Sequence, residues 1–123
     1  TLQEISRHTI EHMQKAYGTK PENLIAGIGP SIGPDVYEVG SEVIKKFQNQ
    51  FRYDNYIVPI KNSDKGLLNL WRVNQQILIN SGIPESQIET AEMCTYSNPD
   101  LFYSARRDGV NSGRLATGIM LKK

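Results

Sequence analysis

The 123-residue sequence has one cysteine, Cys94, and two histidines, His8 and His12. A single thiol excludes an internal disulfide and fits a reducing compartment, so a cytoplasmic location is expected. No run approaches the roughly 18 apolar residues of a spanning helix, and no signal peptide is visible. A membrane partner is therefore not expected. Neither sign of charge dominates: 14 basic and 13 acidic residues leave a net charge of +1. That balance provides no long-range pull on nucleic acid. Repeats and linker-like stretches are also missing. The remainder is 38% hydrophobic and 22% charged, a composition able to build one soluble core over residues 1–123.

The richest stretch lies between Gly27 and Pro34, where three glycines and two prolines fall close together. Glycine lets backbone approach another group closely, and proline fixes φ and removes an N–H. An apolar strand is expected just before it, over residues 24–28. A helix over residues 35–51 is expected after it, with Asp35 as its cap and Glu38 as the capping-box partner. A helix start there would offer free N–H groups to an anion. Two readings stand: a rigid ligand-facing loop, or a strand-to-helix turn with a tight packing contact. The Lys-Ser/Thr of a phosphate loop is absent.

The rest of the chain reads as alternating α and β. Leu2, Ile5, Thr9, Met13 and Ala16 mark a helix over residues 1–17, stopped by Gly18. A strand over residues 56–60 holds Pro59, which places it at an edge or at a strand end. Residues 61–66 read as a loop. Leu67, Leu70, Trp71, Asn74, Ile77 and Leu78 mark a third helix, with Trp71 on its core face. Strands are expected over residues 87–93, 101–107 and 114–121, the last two joined by a hairpin at residues 108–113. The last strand is apolar on both sides and should be central.

Few residues are candidates for chemistry. His8 and His12 share a helix side, a spacing that suits a metal clip or a solvated flank. Cys94 could be a nucleophile, if a base lies near it, or a small buried apolar residue. Arg106 and Arg107 suit a phosphate or carboxylate, but alternation along a strand would send them to opposite faces. Two readings stand: Arg106 takes the pocket role, beside Phe102 and Ser104, with Arg107 paired to a carboxylate on the opposite face, or both arginines make structural ion pairs.

Several motifs, taken in order, resemble the YfiH-like laccase-domain family, also called the polyphenol oxidase family. They are Gly29-Pro30-Ser31-Ile32-Gly33-Pro34 with Tyr37-Glu38-Val39, then Leu70-Trp71 through Asn74, then Cys94-Thr95-Tyr96-Ser97. Leu101-Phe102-Tyr103-Ser104 and Arg106-Arg107-Asp108-Gly109 to Gly113-Arg114 complete the set. One departure is Asp35-Val36, where many members carry cysteines; essential chemistry is not expected there.

The resemblance implies an α/β fold (α+β) of mixed sheets packed together with helices outside, in α/β/β/α layers. It implies a zinc-dependent purine nucleoside phosphorylase acting on adenosine, inosine, guanosine or methylthioadenosine, with adenosine deamination. The family's metal ligands lie in Gln-Val-His-Gly, Ala-Asp-Cys and His-Ala-Gly-Trp-Arg-Gly segments, none of which occurs here. The chain, which begins at Thr1, is therefore expected to be the C-terminal part of a larger domain. It would carry no catalytic residue or metal ligand, and would be inactive alone. Expected substrate-binding residues are Gly29, Pro30, Ile32, Gly33, Tyr96, Phe102 and Arg106. The expected partners are a purine nucleoside and phosphate, with self-association or pairing with the missing half. Three alternatives remain: a non-catalytic partner-binding or structural domain, a copper-dependent polyphenol oxidase, and a cysteine hydrolase using Cys94. Copper is the weaker expectation, since a multicopper centre needs many histidines.

Overall fold

A computed structural model describes residues 1–52, 55–120 and 122. Helix α1 spans Ile5–Tyr17 and ends where Gly18 turns left-handed at φ 65°. Strand β1 (Ala26–Ile28) pairs in parallel with β5 (Ile88–Thr90), Ala26 opposite Ile88. Strands β2 (Glu38–Val39), β3 (Ile57–Pro59) and β4 (Gly66–Leu68) form a second, antiparallel sheet in the order β2-β4-β3. Pro59 thus sits on an edge strand, where a missing N–H costs no ladder bond. Helices α2 (Ser41–Gln50), α3 (Leu70–Asn80) and the one-turn α4 (Ala105–Asp108) complete the fold. The mixed α/β class with parallel and antiparallel sheets matches the expectation from sequence.

Helix α3 joins the two halves because it is apolar on two sides. Val73 and Ile77, one turn apart, enter a core with Val39, Phe47, Phe51, Tyr56 and Leu68. Leu78 points into a second core with Ile10 and Ile83, under the parallel pair. Its first turn is capped by Asn69, whose side chain accepts from the Arg72 N–H at 3.0 Å.

Several boundaries differ from expectation, for physical reasons. Asp35 caps nothing: α2 begins at Ser41 after an N-cap Gly40. Glu38 and Val39 pair instead with Leu67 and Gly66 of β4, a long-range contact that local spacing does not reveal. Residues 66–68 are accordingly a strand, not a loop and helix start. No strand forms over residues 101–107. The Asp108 carboxylate accepts from the Ser104 N–H at 3.2 Å, and the Arg107 and Asp108 N–H groups donate to the Ser104 carbonyl. These local bonds compete with a ladder and wind one helical turn, ended by Gly109 at φ 78°. Without that strand there is no hairpin. Residues 114–120 form no strand either, and Ile119 and Met120 are 73% and 86% exposed. An apolar segment becomes a central strand only with ladder partners on both edges, and among the described residues no strand pairs with this one. Leu121, expected at its end, lies outside the described residues.

Candidate functional site

The glycine–proline loop runs beside the Cys94 turn, as a parallel bridge between Ser31 and Cys94. The Ser31 N–H donates to the Met93 carbonyl at 3.1 Å, and the Thr95 N–H to the Ser31 carbonyl at 3.0 Å. The Trp71 indole N–H donates to the Ser31 hydroxyl at 2.7 Å. Trp71 is only half-buried and belongs to this loop, not to the core expected for it. The Gly33 N–H donates to the Cys94 sulfur at 3.2 Å. A Cβ on Gly33 would lie 3.1 Å from the Cys94 Cβ and 3.3 Å from the Trp71 ring. Close approach is thus what this glycine provides. Helix α2 starts at Ser41 after N-cap Gly40, with strand β2 between it and the loop, so no helix begins directly after the loop as expected.

Hollows open on different sides of the loop. One, of about 330 Å³, is lined by Pro30, Ile32, Tyr37, Ser104, Arg106 and Arg114 among others. Pro30, Ile32 and Arg106, expected to bind substrate, therefore meet. Thr95 and Ser104, buried at 7% and 5% exposure, line the same hollow. The Arg106 guanidinium lies over the Tyr37 ring, 5.1 Å from its centroid, and donates a long 3.4 Å bond to the Glu38 carbonyl. Gly33 faces a different hollow, with Trp71 and Cys94. Gly29 faces a third, where its Cβ would meet the Thr117 methyl at 2.7 Å. Tyr96 and Phe102 do not line the Arg106 hollow; their carbonyls accept from Arg107 at 2.9 and 2.8 Å.

Arg106 and Arg107 do part company, but on a helical turn rather than a strand. Arg107 pairs with the carboxylate of Asp108, its Nε 2.8 Å from Oδ1. That guanidinium holds the Asp108 carboxyl below its usual range. Ser104 was expected beside Arg106 and does line its hollow, whereas Tyr37 and Thr95 were not expected there. Only Ser104 had a local signal, a Ser and an Asp four apart that bond each other's backbone; the other two come from distant segments.

Burial raises the Cys94 thiol pKa, but the Ser97 hydroxyl and the N–H groups of Gly33, Ser97 and Tyr96 lower it further, so it ends below the usual value. Neither histidine is among the groups acting on it. Both histidines are exposed on α1, and His8 Nδ1 lies 3.3 Å from a Glu11 carboxylate oxygen. Among the described residues no group of three His, Cys, Asp or Glu could hold a metal. Zinc therefore does not fit a site made from these residues alone. No helix among them is long and apolar enough to cross a membrane.

Comparison with known proteins gives a consistent result. The chain is 40% identical over 124 residues to a purine nucleoside phosphorylase of Bacteroides thetaiotaomicron, covering 100% of itself and 46% of that protein. It is 33% identical to the adenosine deaminase RL5 of an unknown prokaryotic organism, covering 99% of itself and 47% of that protein. The chain thus spans less than half the length of these curated relatives. Its backbone superposes on the crystal structure of the Bacillus licheniformis hypothetical protein YfiH with a TM-score of 0.80 and 34% identity, covering 88% of this chain and 41% of that one. A family model described as multi-copper polyphenol oxidoreductase laccase matches residues 1–122. Sequence and backbone agree along nearly the whole chain, and the protein belongs to this YfiH-like, laccase-domain family.

Proposed function

We propose that the intact protein is a zinc-dependent purine nucleoside phosphorylase that also deaminates adenosine. Its substrates would be adenosine, inosine, guanosine or methylthioadenosine, with phosphate as co-substrate. Residues 1–123 supply one wall of the pocket, and the zinc ligands lie outside them. Zinc is proposed over copper because two histidines and one cysteine contribute little to a multicopper centre. The printed names of the relatives support the reaction class.

The observation that carries the reading is the hollow around Arg106. Its volume is at the low end of the roughly 300–1,000 Å³ of small-molecule sites. Among the described residues the partners of Arg106 are a ring and a carbonyl, not a carboxylate. Its charge is therefore available to an anion, and a guanidinium fork grips two oxygens of phosphate at once. The Pro30–Ile32 side of the loop closes the wall, while Gly29 and Gly33 let that loop sit tight against Thr117 and Cys94. Tyr96 and Phe102 stand behind the wall, holding it through their carbonyls. The exposed apolar residues Leu115, Ile119 and Met120 are a surface for pairing with the remainder of the protein.

The test uses the full-length protein with adenosine and inosine, with and without phosphate. Phosphate-dependent release of the base is the expected result. Arg106→Ala removes a charge-assisted bond of about 1.5–3 kcal/mol, so kcat/KM for phosphate should fall roughly 10- to 100-fold. Unchanged phosphorolysis in that variant would refute the anion role.

A further inference from the structure

Two adjacent arginines behave in opposite ways here. Arg106 is exposed and lightly held, whereas every N–H of the Arg107 guanidinium is used. Its Nε donates to Asp108 Oδ1 at 2.8 Å. Its Nη1 donates to the carbonyls of Thr95 and Tyr96, both at 2.9 Å. Its Nη2 donates to the Phe102 carbonyl at 2.8 Å and to Asp108 Oδ2 at 2.9 Å. A guanidinium has five donors in a fixed planar fork, so none is left for a ligand.

We infer that Arg107 is a positioning residue for the anion-binding wall, acting through Arg106, Thr95 and Ser104 without touching what they bind. This rests on the reading of the hollow given above. The residues it joins lie within twelve positions of it, and none of the three carbonyls belongs to a helix or strand, so no ladder or helix bond holds them. Through Thr95 and Tyr96 it holds the Cys94 turn, and the Thr95 N–H holds Ser31 in turn. Through Phe102 and Asp108 it holds the segment that carries Ser104 and Arg106. The carboxylate of Asp108 reaches back to the Ser104 N–H at 3.2 Å, so one ion pair fixes both ends of α4. The loop, the turn and α4 are three of the walls of the hollow, beside Tyr37 and residues 113–115; Arg107 bonds the turn and the α4 segment directly and reaches the loop through the Thr95 N–H. Lysine cannot replace it, because its ammonium presents three donors from one point.

The experiment measures phosphorolysis of inosine by the full-length enzyme with phosphate varied. Arg107→Lys should raise KM for phosphate at least about tenfold, as expected when anchoring groups shift by about an ångström, with kcat changed less than KM. Hydrogen exchange should quicken in the peptide over residues 94–104 and not elsewhere. If Arg107→Lys does not fold, Asp108→Asn serves: it keeps the three carbonyl bonds and should move KM the same way by a smaller factor. A lowered melting temperature with phosphate KM within twofold of wild type would make Arg107 merely structural and overturn the inference. Arg106→Ala separates the two levels. Should it raise KM while Arg107→Lys does not, only the positioning role falls; should it leave KM unchanged, the hollow is not the anion site and both readings fall.

Discussion

Replacing Gly33 with alanine tests whether the loop is held by close packing. The added Cβ would sit 3.1 Å from the Cys94 Cβ, 3.3 Å from its sulfur and 3.3 Å from the Trp71 ring. Ordinary carbon contacts lie at about 3.5–4.0 Å, so the neighbours must each yield a few tenths of an ångström. Gly33 has no left-handed φ, so the cost is space and not backbone strain. Overpacking of this kind costs about 1–3 kcal/mol. Gly27 is the control: nothing lies within 4 Å of its Cβ position. Gly27→Ala should be neutral or stabilising by about 0.4–1 kcal/mol, through a less flexible unfolded chain. Urea denaturation of the full-length protein measures both, with the slope m unchanged if only the native state is affected. The Gly33 variant should also show a weaker grip of phosphate, as the Pro30–Ile32 wall is pushed from Cys94. If the two variants were equally stable, the close-packing account of this loop would be wrong.

Beside the Arg106 and Arg107 variants, two pH effects follow from the same contacts. Because Ser97 and the three backbone N–H groups outweigh burial, Cys94 should react with iodoacetamide at a pH below that of an ordinary thiol. Ser97→Ala should move that profile upward; a wild-type profile at or above the usual thiol value would refute the arrangement. The Asp108 carboxyl is held below its ordinary 3.8 when folded. Its ion pair therefore adds stability above that value, lost as pH falls through the lower folded pKa. Asp108→Asn should be less stable than wild type at pH 7, with the gap closing below about pH 4; a gap constant across this range would remove the ion pair from the account.

Sequence periodicity determined the mixed α/β class, the helices α1 and α3 and the stop at Gly18, and Pro59 confined its strand to an edge or placed it at a strand end. These depend on residues within a turn or two of one another, and local spacing carries that information. The motifs around Gly29–Gly33 and Arg106–Arg107 likewise marked the loop and the arginines. Tertiary structure decided what spacing cannot encode. Glu38 and Val39 are a strand because Leu67 and Gly66 lie opposite, not because of their neighbours in the chain. Trp71 serves the loop through Ser31, forty residues away. Residues 114–120 have the composition of a central strand but pair with no strand among the described residues. The division between Arg106 and Arg107 is of the same kind: two identical side chains, separated only by which carbonyls the fold brings within reach.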